Sequence, residues 1–123
     1  MSLRVLVVDD EQLAREELCF QLEQLPDDVD VVGQATNGLE ALTAIDTSTP
    51  DLVFLDIQMP GLTGFEVARQ LVERQGNSPA VVFVTAFDRH AIEAFEVNAV
   101  DYLLKPVDPT RLAQAVQIGR AHV

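Results

Sequence analysis

Short apolar runs recur along the chain, and they set the reading of everything between them. Leu3 to Val8 is apolar but for Arg4, and Leu52 to Leu55 and Ala80 to Val84 are apolar throughout. Runs this short predict strands buried on both faces. Val29 to Ala35 and Val100 to Leu104 complete a set of five. Between them the period changes. Over Gln12 to Leu25, residues Ala14, Leu18, Leu22 and Leu25 share one helical stripe, with Arg15, Glu16, Glu17 and Glu23 largely off it. Phe20 falls outside that stripe, which predicts partial exposure or cover by a partner. Asn37-Gly38 opens a short helix carrying Leu39, Leu42 and Ile45, and Phe65 to Glu73 reads as a helix with Val67, Ala68, Leu71 and Val72 inward. His90 to Asn98 is a further helical segment. Asp108 as N-cap and Pro109 at the first helical position open a last helix to about Arg120. Pro26-Asp27-Asp28, Gly61 to Gly64 and Gly76-Asn77-Ser78-Pro79 break the pattern where turns belong.

Strand and helix alternate about five times, which predicts an α/β domain with a parallel sheet. Strands apolar on both faces need helices on both sides. The fold class expected is therefore a doubly wound, five-stranded parallel sheet in the flavodoxin-like order 2-1-3-4-5. With 123 residues, 48% of them hydrophobic, one domain with one sizeable core is expected. The net charge of -12 disfavours contact with a phosphate backbone, so this chain by itself is expected not to bind nucleic acid. The single cysteine, Cys19, rules out an internal disulfide and fits a reducing cytoplasm. No signal-peptide pattern and no apolar stretch of the ~20 residues that span a bilayer is present, so no membrane association is expected.

In a parallel sheet the C-terminal strand ends share one edge, where ligands bind. Here Asp9-Asp10 stands after the first strand, Asp56 after the third, Thr85 after the fourth and Lys105 after the fifth. Pro60 and Gly61 stop the central strand from continuing. The order 2-1-3-4-5 makes the first and third strands neighbours, so Asp9, Asp10 and Asp56 meet in one pocket. Three carboxylates so placed repel one another unless a cation is present. Oxygen ligands of this kind suit Mg²⁺, and Mn²⁺ can substitute. Lysine charge and threonine hydroxyl would cradle a phosphoryl group carried on a carboxylate, and aspartyl phosphate formation is established chemistry. Taken singly, each residue has a plainer reading: a solvated turn, a cap, an exposed Lys-Pro loop. Their arrival at successive strand ends in this chain order is the signal.

The runs Val7-Val8-Asp9-Asp10-Glu11, Leu55-Asp56-Ile57-Gln58-Met59-Pro60-Gly61, Val84-Thr85-Ala86 and Tyr102-Leu103-Leu104-Lys105-Pro106 resemble the receiver domain of two-component response regulators over essentially the whole chain, residues 1–123. The segment from Thr85 to Pro106 is similar, more narrowly, to receivers of the LytR/AlgR group, which usually precede a DNA-binding LytTR domain. That resemblance implies Asp56 as phosphoacceptor, Asp9 and Asp10 as holders of Mg²⁺ directly or through water, and the Gln58 backbone carbonyl as a further ligand. It implies Thr85 as switch hydroxyl, Tyr102 as switch aromatic, Lys105 as charge partner and a cis Lys105-Pro106 bond. A sensor histidine kinase is the implied donor, and the chain is expected to catalyse at most its own phosphorylation and dephosphorylation. An output domain is expected in a longer parent protein, the alternative being a stand-alone receiver acting as a relay or interaction module. Phosphorylation is expected to promote a homodimer through the final helix-strand-helix face.

Rival readings fare worse. A flavin binder of the same architecture needs a first loop that holds phosphate, and Asp9-Asp10-Glu11 would repel it. A haloacid-dehalogenase-type phosphatase needs a second carboxylate two residues after the nucleophile, where this chain has Gln58. A degenerate receiver lacks motif residues that are all present here. Cys19 is read as a small, partly covered hydrophobe, and His90 and His122, far apart in sequence, as surface residues. Phe95 and Val97 are read as core packing, with an interface role as the alternative.

Overall fold

The structure is a computed structural model that describes residues 2–26, 28–74, 78–86 and 98–122. Among these residues the order is β1 (Leu3–Val8), α1 (Gln12–Glu23), β2 (Val29–Ala35), α2 (Gly38–Ser48), β3 (Leu52–Asp56), α3 (Gly64–Glu73), β4 (Ala80–Thr85), β5 (Asp101–Leu104) and α4 (Pro109–Ala121). The strands form one sheet in the order β2-β1-β3-β4-β5, with each neighbouring pair parallel. The expected fold class is thus the observed one. The helical segment expected over His90 to Asn98, with Phe95 and Val97, lies outside the described residues apart from Asn98.

Alternation along each strand sends its side chains to two separate cores. Leu6, Val8, Val53, Leu55, Val81 and Phe83 pack under α2 and α3, against Ala41, Ile45, Phe65, Val67 and Leu71. Val5, Val7, Leu52, Phe54, Val82 and Val84 face the other way, against Leu18 and Leu22 of α1 and Leu112, Ala115 and Val116 of α4. Phe65 meets Phe83 edge to face, centroids 5.0 Å apart, tying α3 to β4. On edge strand β2 the pairing with β1 slips between Val5 and Leu6, leaving Val32 as a bulge.

The helix faces differ from expectation in particular places. Val72 of α3 is 53% exposed, because Leu71 takes the inward direction one residue earlier. Leu39 of α2 is 70% exposed, and the buried residues of that helix are Gly38, Ala41 and Ile45. Small residues serve there because the helix start lies close to the β3–α3 loop: a Cβ on Gly38 would stand 2.6 Å from Leu62 Cβ. Cys19 is fully rather than partly covered, and its thiol pKa is raised by burial and by the Glu23 charge. Phe20 is exposed.

Helix starts are fixed by side chains. Asn37 caps α2, Thr63 and Glu66 form a reciprocal capping box on α3, and Asp108 caps α4 with Pro109 next in the chain. Helix α1 is the exception: Glu11 is its N-cap residue, but its side chain makes no capping hydrogen bond.

Candidate functional site

Register brings the strand ends together. Val8 pairs with Leu55, so Asp9 and Asp56 leave neighbouring strands side by side. Asp56 pairs with Val84, which places Thr85 one step beyond it on β4, and Thr85 pairs with Leu104, one residue before Lys105. Short strands carrying polar ends thus deliver Asp9, Asp56, Thr85 and Lys105 to one edge.

Each residue is held from behind. The Asp9 backbone N–H donates to the Ala35 carbonyl (3.1 Å), and its own carbonyl accepts from the Arg15 guanidinium (2.9 Å). Arg15 also donates through Nε to Gln34 Oε1 (3.0 Å), which clamps the start of α1 to β2. Asp9 Oδ1 accepts from the Glu11 backbone N–H (2.9 Å). Behind Asp56, the Gly64 N–H donates to the Ile57 carbonyl (2.9 Å) and folds the β3–α3 loop down onto the strand end. The Lys105 N–H donates to the Thr85 carbonyl (2.8 Å), and the Lys105–Pro106 peptide bond is cis.

Lys105 Nζ reaches three carboxylates: Asp9 Oδ2 at 2.7 Å, Asp56 Oδ2 at 3.4 Å and Glu11 Oε1 at 3.5 Å. Asp9, Asp56 and Thr85 are buried, and the Lys105 side chain is only 18% exposed. Burial first, then the Asp9 charge, pushes the Asp56 carboxyl up to about 6 against the opposing pull of Lys105. Burial works against the Lys105 charge, but Asp9 and Asp56 outweigh it and hold the ammonium above its ordinary value. One lysine therefore does not neutralise the pocket, and the surplus is negative.

Oxygens of Asp9, Glu11 and Asp56 lie within 4.8 Å of one another. The donor set is hard, anionic and partly open to water, which fits Mg²⁺. Glu11 joins Asp9 and Asp56, whereas Asp10 is exposed and faces a groove it lines with Asn37, Pro60 and Leu62. Gln58 is exposed as well. Glu11 was visible as the third acid of the run Asp9-Asp10-Glu11, but nothing in the spacing distinguishes it from Asp10. Tyr102 sits opposite Phe83 on edge strand β5, partly buried against the core under α2 and α3.

A cation held by Asp56 would have to displace any proton from its carboxyl. Mg²⁺ affinity is therefore expected to be steady well above pH 6 and to fall about tenfold per pH unit below it, following the Asp56 pKa of about 6. Calorimetric titration across that range checks it. An affinity flat to pH 5 would mean that Asp56 is not a ligand or that its carboxyl titrates well below that range.

A doubly wound parallel sheet with buried aspartates and a lysine at its C-terminal edge defines an α/β domain with an acidic pocket at the strand ends. Residues 5–117 match the family described as the response regulator receiver domain, and the chain belongs to that family. Among curated relatives, it is 52% identical over 115 residues to the positive alginate biosynthesis regulatory protein of Pseudomonas aeruginosa, covering 94% of this chain and 46% of the relative. It is 48% identical, over the same shares, to the sensory transduction protein LytT of Bacillus cereus. These are relatives of the LytR/AlgR kind. The response regulatory domain of mrkE from Klebsiella pneumoniae superposes with a TM-score of 0.87 at 34% identity, covering 97% of this chain and 96% of that one. The chain spans about half the length of the curated relatives it matches. Receiver domains bind Mg²⁺ at an acidic pocket, typically act in signalling rather than catalysis and imply a histidine kinase as partner. Among the described residues, no helix is long and apolar enough to cross a membrane.

Proposed function

We propose that Asp56 accepts a phosphoryl group from the phosphohistidine of a sensor histidine kinase in the cytoplasm. The observation that carries this reading is the buried Asp56 carboxylate, 3.4 Å from Lys105 Nζ and beside Asp9, at the open edge of the sheet. An Asp56 oxygen forms the new bond to phosphorus, and the donor imidazole leaves with the electron pair of the broken P–N bond. Lys105 then balances charge on a phosphoryl oxygen, and the Thr85 hydroxyl donates to another. Asp9, Asp10, Asp56 and the Gln58 carbonyl are the proposed holders of Mg²⁺, for which Mn²⁺ substitutes. The bound ion supplies charge neutralisation for the transferring group. Incubation with acetyl phosphate and Mg²⁺ tests the reading by the mass of one added phosphoryl group, expected with the metal and lost on chelation.

Ala14, Glu17, Pro106 and Val107 line a cavity of about 270 Å³ shared with Asp9 and Lys105. Gln21 Nε2 donates to the Val107 carbonyl across it (3.1 Å). Leu13 stands 82% exposed on the same helix. A protein donor would dock on this face. Polar substitution at Leu13, or Val107→Ala, is expected to slow transfer from the kinase while leaving acetyl phosphate labelling intact. Equal loss with both donors would assign these residues to folding instead.

In a longer parent protein the switch would control an output domain, of the LytTR DNA-binding type by analogy with the relatives. A stand-alone receiver acting in a relay is the second reading. The switch itself is proposed to run through Thr85 drawn toward the phosphoryl group and Tyr102 turning into the vacated space. A phosphorylation-dependent homodimer is proposed through the final helix-strand-helix face, on whose elements Leu104 of β5 and Ile118 of α4 are exposed. Sedimentation with and without beryllofluoride is expected to show dimer only with it, and an unchanged monomer at confirmed occupancy would rule the dimer out.

A further inference from the structure

We infer that Glu11 sets donor specificity in this site, as an anionic filter at the mouth of the pocket that disfavours strongly charged small phosphodonors. The inference rests on the reading of Asp56 as phosphoacceptor. Glu11 stands where an N-cap side chain normally folds back onto the first N–H groups of its helix, as Asn37, Thr63 and Asp108 do. Its own makes no such bond. Instead its Oε1 lies 3.5 Å from Lys105 Nζ, on the solvent side of a lysine whose other two partners are buried. The side chain is 71% exposed, but its backbone is tied to Asp9 Oδ1 at 2.9 Å, so the carboxylate is anchored at the rim.

A phosphoryl group bound for Asp56 must come within reach of Lys105, and so within reach of Glu11. An exposed ion pair of this kind adds little to stability. Its field on an approaching donor scales with the donor's charge, and counts double against a dianion. With acetyl phosphate, an Asp56 oxygen forms the P–O bond and acetate leaves with the electron pair of the bond that breaks. Glu11 neither gives nor takes a proton in this step and makes no bond to phosphorus. It acts as a positioning and filtering residue.

Glu11→Gln and Glu11→Asp test this against acetyl phosphate, a dianion, and phosphoramidate, which carries one net negative charge. Each protein is measured at saturating Mg²⁺, the saturation being fixed beforehand by calorimetry. At low ionic strength Glu11→Gln is expected to take label from acetyl phosphate about three- to tenfold faster than wild type, with the gain shrinking as salt is raised. The gain with phosphoramidate is expected to be smaller, and Glu11→Asp, which keeps the charge, gains less from acetyl phosphate than Glu11→Gln does. An unchanged unfolding midpoint in Glu11→Gln separates the effect from folding. No gain at low salt, or an equal gain with both donors, overturns the inference. A wild-type protein that takes no label from either donor overturns the phosphoacceptor reading itself, which is a distinct result.

Discussion

Asp56→Asn abolishes phosphoryl incorporation and, in the absence of metal, stabilises the fold: both are expected from one pocket. The loss arises because an amide cannot serve as the nucleophile. The gain comes from electrostatics. Burial and the Asp9 charge raise the folded-state pKa of Asp56 from 3.8 to about 6, so the ionised carboxylate is less comfortable in the folded chain than in the unfolded one. That penalty is absent below pH ~4, grows between ~4 and ~6 and is complete above. The Asp56 contribution to wild-type stability without metal therefore falls as pH rises through this window, and the asparagine variant lacks that fall. After allowance for water reaching the pocket, the expected difference above pH 6 is about 1–2 kcal/mol, or roughly 3–10 °C in Tm. Thermal melts in chelator at two pH values measure it. A variant less stable than wild type at both would mean that the Lys105 contact outweighs the repulsion.

Gly64→Ala carries the other large effect, and it shows how tightly the site is built into the fold. A Cβ at this position would stand 2.3 Å from the Asp56 carbonyl oxygen, 2.9 Å from Ile57 Cα and 3.0 Å from the Asp56 carbonyl carbon. All three are backbone atoms, so no rotamer change relieves the clash. Either α3 lifts away from the strand, losing the Gly64 N–H bond to Ile57, or Asp56 shifts out of the pocket. A cost of about 3 kcal/mol or more is expected by urea unfolding, with labelling of Asp56 reduced in whatever protein folds. Gly61 is the contrast. Its φ is +78° and nothing lies within 4 Å of its missing Cβ, so Gly61→Ala costs only the backbone strain, about 1 kcal/mol. Equal costs at the two positions would refute the close-approach account.

The sheet and its edge were legible because central strands must be apolar on both faces and must end where polarity begins. That rule places Leu3–Val8 and Val29–Ala35 with the bounds observed, and from strand order alone it predicts Asp9 beside Asp56. Helix faces were less legible. Periodicity admits Leu39 and Val72 to an inward stripe, but which turn faces the sheet depends on how closely each helix approaches it. Gly38 and Ala41 bring α2 near, and Leu39 is left outside. Least legible was the place of Glu11 beside Asp9 and Asp56. Adjacent acids look alike in sequence. Only the turn at the head of α1, with its N–H bonded to Asp9, directs one outward and the other toward Lys105.

The central claim is that the buried carboxylate of Asp56 itself carries the phosphoryl group. The most direct test treats the wild-type protein with acetyl phosphate and Mg²⁺, reduces the acyl phosphate with borohydride and locates the product by peptide mass spectrometry. Reduction of an aspartyl phosphate leaves homoserine. The account predicts homoserine at position 56, dependent on Mg²⁺ and absent after chelation. Homoserine at position 9 or 10, or a label insensitive to the metal, would contradict it.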